Sequence, residues 1–138
     1  MTKRIHKITP ENLTFDIIQD ILENDVKLEL SEQSIQLILK SKEFLDKKIS
    51  ESDKPIYGIN TGFGALCNII ISNDDLSKLQ ENLVISHACN IGPEVPGDVV
   101  KLMLLLKVHA LSKGNSAVQL VTIQRIIDLF NNNVLPLV

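Results

Sequence analysis

A chain of 138 residues with 44% apolar side chains is long enough to build a core and too hydrophobic for a disordered segment. Its net charge of −3, scattered lysines and arginines and five aromatic rings (four Phe, one Tyr) provide neither the basic footprint nor the stacking platforms that nucleic-acid binding demands. No run spans a bilayer or forms a secretory leader, the longest unbroken apolar stretch being Leu102 to Leu106, and the composition reads as a soluble cytoplasmic protein.

The pattern is helical nearly throughout. Thr14 is placed to cap a short helix whose Ile17, Ile18, Ile21 and Leu22 share a face and which ends near Asn24. Ser31 is a second N-cap, and Ile35, Ile38, Leu39, Leu45 and Ile49 then recur at helical spacing. Pro55 ends that helix, because the residue before a proline is pushed out of the α region. Leu66 to Ile71 is a brief apolar piece that can be extended, and Ser72 with Asp75 three residues on resembles a capping box for a helix running to about Ala88.

From Asp98 to Lys113 the apolar residues lie on nearly all sides, which predicts a helix buried on every face, inside a domain or between subunits. Gly114 is its natural C′ residue, and Ser116 is expected to cap a last helix striped by Leu120, Ile123, Ile127 and Phe130. The reading is all-α, with at most a trace of strand. The closing run NVLPLV lacks a polar tail, and a helix buried on every side needs more partners than four others supply. Both predict a piece of a larger protein.

Chemistry concentrates in two places. The first is KPIYGINTGFG, residues 54–64, with three glycines in seven positions around the chain's one tyrosine, Tyr57. No Gly-Lys-Ser/Thr follows, which argues against a phosphate cradle. Two readings remain: a tight turn in which Tyr57 packs its ring and Asn60 or Thr61 bonds the backbone, and a mobile lid whose glycines give the freedom to carry a phenol into a site. A tyrosine acting as base ionises from a pKa of about 10, so it needs a positive field from elsewhere in the fold. The second place is His87, expected near a helix C-terminus on the side of Leu76 and Leu83. His6 and His109 read as core histidines. The three histidines show no metal-ligand spacing, and Cys67 and Cys89 read as free thiols.

Several stretches then occur in order: YGINTGFG, LQENLVISHA, ACNIG and GNSAV. Together they resemble the N-terminal portion of the aromatic amino acid lyase family, and its histidine ammonia-lyase branch in particular, from about Ile8 to the last residue. The resemblance implies a large, mostly helical homotetramer that eliminates ammonia from an α-amino acid, with L-histidine giving trans-urocanate in the histidine branch. The electrophile would be a methylidene-imidazolone group (MIO), made from an Ala-Ser-Gly that occurs nowhere in these 138 residues. Position by position, Tyr57 falls on the catalytic base. His87, with Ser86, falls on the pair that holds the substrate's imidazole; Asn60 and Gly64 would also contact substrate. Gly58, Ile59, Thr61, Gly62 and Phe63 would form the flexible loop over the site.

Three departures stand out. Asn90 and Ala117 replace glycines of the family pattern, and Lys101 replaces a common arginine. The expectation is therefore an N-terminal domain, residues 1–138, of a cytoplasmic histidine ammonia-lyase, inactive alone. Two alternatives stay open: a tyrosine or phenylalanine ammonia-lyase or aminomutase of the same family, and a non-catalytic helical module.

Overall fold

The structure is a computed structural model describing residues 4–51, 54–62, 64–72, 75–89 and 91–138. It forms two compact units, one of Met1–Lys48 with Glu94–Val138, the other Ile49–Pro93. Five α-helices and two short strands occur among the described residues. Strand β1 (Ile5–Ile8) leads to helix α1 (Phe15–Glu23), strand β2 (Lys27–Leu30) and helix α2 (Glu32–Ser50). Helix α3 (Leu76–His87) belongs to the second unit; α4 (Gly97–Ser112) and α5 (Leu120–Asn131) complete the first. Among the described residues, no helix is long and apolar enough to cross a membrane.

The first unit is built on β1 and β2, which pair in parallel from Ile5 opposite Lys27 to Ile8 opposite Leu30, with α1 as the crossover. Helices α1 and α2 appear where their caps place them. Thr14 Oγ1 accepts from the Ile17 N–H at 3.3 Å and opens α1, and Ser31 Oγ accepts from Ser34 N–H at 3.2 Å and opens α2. The fully buried Ser34 hydroxyl donates in turn to the Ile8 carbonyl, tying α2 to β1. Ile8, Leu28, Leu30, Ile21 and Ile38 meet Leu105, Val108, Ile123, Ile127 and Phe130 in one core.

The strands are the part periodicity misses, since four residues each are too few to show an alternation. β2 is also braced from α5. The Asn131 side chain accepts from Leu28 N–H at 2.8 Å and donates to Leu28 C=O at 2.9 Å, so one carboxamide imitates a neighbouring strand.

One expectation about the late helices needs correction, and another is met only in part within this chain. α4 is not covered on every side by this chain's own elements. Val100, Leu105, Val108 and Leu111 are buried, whereas Val99, Met103 and Leu106 form an exposed stripe at helical spacing. Its neighbours in the first unit include α1, α5 and β1. Nor does Ser116 cap α5, whose N-cap is Gln119. The chain first turns at Ala117, which holds φ 48° while its N–H donates to Ser41 Oγ at 3.1 Å. That left-handed backbone explains why a glycine suits the position, because a Cβ there costs about 1–2 kcal/mol. Ala117→Gly is expected to raise unfolding stability by up to about 1 kcal/mol, offset in part by the freer unfolded chain; urea denaturation checks the direction.

Lys101, where the family pattern favours arginine, extends over the Phe130 ring at 5.2 Å and reaches Asp25 at 3.9 Å, so this cation has a structural seat in the first unit. The closing run is apolar and largely exposed at Val134 and Leu137, with the Val138 carbonyl accepting from Val95 N–H at 2.8 Å.

Candidate functional site

The second unit, Ile49–Pro93, carries Tyr57 and His87. Its first half is a turn fastened by hydrogen bonds. The amides of Ile59 and Asn60 both donate to the Ile56 carbonyl, at 3.0 and 3.2 Å, which coils the chain at Tyr57. Gly58 takes φ 75°, a left-handed conformation that a side chain would strain. The limb Asn60–Gly62 then runs antiparallel to Ile69–Ile71: Thr61 bridges Ile70, Ile71 N–H donates to Asn60 C=O at 2.9 Å, and Gly62 N–H donates to Ile69 C=O at 3.1 Å. The piece expected to be extended is therefore extended only at its end, because Gly64–Leu66 first makes a single 3-10 turn.

Inside this clasp the polar side chains turn inward. Asn60 is 7% exposed and Thr61 is fully buried, whereas Tyr57 is 66% exposed. The sequence-based expectation that Asn60 or Thr61 bonds the backbone holds for both. Asn60 Oδ1 accepts from Ile56 N–H at 2.7 Å, and Nδ2 donates to Lys54 C=O at 3.1 Å. Thr61 Oγ1 accepts from Gly58 N–H and donates to Gly62 C=O. Of the remaining loop residues, Ile59 is half-buried, Gly62 is buried and Gly64 is exposed at φ 56°. Phe63 and Asn90 lie outside the described residues.

α3 begins later than its capping signal implies. Ser72 Oγ donates to the Asp75 carboxylate at 2.7 Å, and Asp75, the N-cap, makes no side-chain capping bond. The hydroxyl is satisfied by its neighbour's charge instead of by an orphan N–H, so the box does not form. Along α3, Leu79 and Leu83 are half-buried and Val84 and Ile85 are exposed. His87 is exposed too, a correction to its placement on a buried stripe. The described apolar residues of this helix spread around its circumference, and of them Leu79 and Leu83 are the more covered.

At the end of α3 the structure brings Ser86 and His87 together. Ser86 Oγ donates to Leu83 C=O at 2.9 Å and lies 3.1 Å from His87 Nδ1; His87 Nδ1 is 2.8 Å from the same carbonyl. A carbonyl only accepts, so this contact requires the hydrogen on Nδ1, and in that tautomer an imidazole has its lone pair on Nε2. An exposed imidazole with that tautomer fixed by its own helix is suited to accept a hydrogen bond from a ligand N–H. A cleft of about 490 Å³ opens between Ile70–Ser72 and the Asp75, Lys78 and Asn82 face of α3. Tyr57 and His87 are not among its described lining residues.

The other two histidines serve the first unit. His109 Nε2 is 2.6 Å from the Glu11 carbonyl. Burial pushes the His6 imidazole below its ordinary pKa, with nearby Asp20 acting the other way. Cys67 and Cys89 are free thiols, and no group of three metal-ligating side chains occurs among the described residues.

The aromatic amino acid lyase profile matches residues 13–138. The histidine ammonia-lyase of Legionella pneumophila strain Philadelphia 1 is 46% identical over 129 residues, covering 94% of this chain and 25% of that protein. Among solved structures, the histidine ammonia-lyase of Trypanosoma cruzi superposes with a TM-score of 0.79 at 31% identity, over 93% of this chain and 25% of its own. The tyrosine aminomutase of Streptomyces globisporus does so at 0.83 and 27%, over 96% of this chain and 24% of its own. The chain thus spans about a quarter of the length of the curated relatives it matches. By the extent of the profile match and the fold, the chain belongs to the aromatic amino acid lyase family.

Proposed function

We propose that this chain is the N-terminal portion of a histidine ammonia-lyase, an enzyme that eliminates ammonia from L-histidine to give trans-urocanate. The observation that carries the substrate choice is the Ser86–His87 arrangement, with Nδ1 against the Leu83 carbonyl, which in the Nδ1–H tautomer makes Nε2 the acceptor. A substrate imidazole N–H meets that acceptor, whereas a phenyl ring offers it nothing and leaves a polar group unpaired. The 46% identity to a protein named histidine ammonia-lyase supports the same branch.

Tyr57 is the base. The β-hydrogen of an amino acid is weakly acidic, so removing it requires a proton acceptor held within hydrogen-bonding reach in a site that excludes water. The phenol is displayed at the apex of the turn and the imidazole at the end of α3, both in the second unit. The positive field that a phenol base requires comes from outside this chain, from helix N-termini of the assembled enzyme. The MIO group supplies the electrophile. These residues cannot form it, because they contain no Ala-Ser-Gly.

The assembled enzyme is a cytoplasmic homotetramer in this reading. The exposed stripe Val99, Met103 and Leu106 on α4 is a face that further helices would cover. The expected result is ammonia and urocanate from L-histidine with the full-length enzyme, and neither with the 138-residue chain. Turnover by the chain alone, or silence of the full-length enzyme toward every aromatic amino acid, rejects the proposal.

A further inference from the structure

We infer that Asn60 and Thr61 are positioning residues, a polar brace that preorganises the turn bearing Tyr57, and that neither side chain touches substrate. The inference rests on the lyase reading for what Tyr57 does, and on hydrogen bonding for how it is held.

The amide and hydroxyl are already engaged, both locally. Asn60 spans the turn's entrance, taking the Ile56 N–H on Oδ1 and giving Nδ2 to the Lys54 carbonyl, on the two sides of Pro55. Thr61 spans its exit, taking the Gly58 N–H and donating to the Gly62 carbonyl. Tyr57 sits between these two fastenings, one residue after the amide that Asn60 holds and one before the amide that Thr61 holds. With Asn60 7% exposed and Thr61 fully buried, neither presents its polar atoms outward as the 66% exposed Tyr57 presents its ring. The strand-like pairing of Asn60 with Ile71 and Gly62 with Ile69 anchors the brace to the following segment.

A base delivered by a loose loop would lose much of its benefit to the entropy of finding the attack geometry, and a misplacement near 1 Å costs about a hundredfold in rate. A turn whose amides are fixed by side chains removes that search before substrate arrives. Gly58 then sets the left-handed backbone of the turn.

Two substitutions in the full-length enzyme test this. Thr61→Val keeps the buried shape and removes the hydroxyl; Thr61→Ser keeps the hydroxyl. For Thr61→Val, kcat on L-histidine should fall about 10- to 100-fold with KM changed less than about twofold, and Thr61→Ser should stay near wild type. Asn60→Ala should follow Thr61→Val. Hydrogen–deuterium exchange gives a readout independent of turnover: the peptide containing Ile56 and Gly58 should exchange faster in Thr61→Val and Asn60→Ala than in wild type. A rise in KM at constant kcat would place these side chains against substrate and overturn the inference. Unchanged exchange in that peptide would overturn it as well. If wild type releases no ammonia from any aromatic amino acid, the lyase reading fails, while the exchange result still decides whether the brace exists.

Discussion

Tyr57→Phe in the full-length enzyme is expected to lower kcat for ammonia release from L-histidine by about 10²- to 10⁴-fold, the usual contribution of a positioned general base. The substitution removes one oxygen and keeps the ring. Because the ring keeps its shape, secondary structure and oligomer size should be unchanged. KM should move little if the phenol, as proposed, acts on the β-hydrogen in the transition state more than it binds ground-state substrate. A rate within a factor of two of wild type, measured by urocanate absorbance, would remove Tyr57 from the chemistry.

Gly114→Ala should produce the largest loss of stability. Gly114 follows α4 at φ 69°, where a Cβ costs about 1–2 kcal/mol. The space is closed as well: an added Cβ would lie 2.6 Å from the carbonyl oxygen and 2.7 Å from the carbonyl carbon of Leu37. Those are backbone atoms in the middle of α2 and have no rotamer to escape into, so the helices must separate, an overpacking cost of about 1–3 kcal/mol. Together these predict a destabilisation of about 2–5 kcal/mol, a large fraction of the stability of a domain this size. A chemical denaturation midpoint equal to that of wild type would show that α2 and the α4 exit do not approach as described.

Legibility in the sequence follows the range of the interactions. Thr14, Ser31 and Gly114 announce helix ends through bonds that reach only three or four residues, and all three act as their chemistry predicts. β1 and β2 are held by partners some twenty residues apart and by the Asn131 carboxamide 103 residues from Leu28, which no local pattern displays. Ser72 and Ser116 carry the same cap signal as Ser31. At Ser72 a neighbouring carboxylate takes the hydroxyl, and at Ser116 the left-handed turn of Ala117 postpones the helix.

The site was legible as a motif and as local chemistry, less so as geometry. Tyr57 and His87 stand out by residue type, and the exposed ring and exposed imidazole are compatible with roles toward a ligand. The inward turn of Asn60 and Thr61 was open in the sequence, because the same two residues suit a brace and a substrate contact. The exposed stripe of α4 was read as buried, since apolar residues on every side tell that a helix is covered but not by which chain.

The histidine branch is tested most directly by the ratio of kcat/KM for L-histidine to that for L-tyrosine in the full-length enzyme. If Ser86 and His87 meet the substrate's imidazole N–H as proposed, the ratio should exceed about a hundredfold, as for sites built around a substrate hydrogen bond. A ratio below one would assign the chain to another branch of the family and contradict the role given to His87.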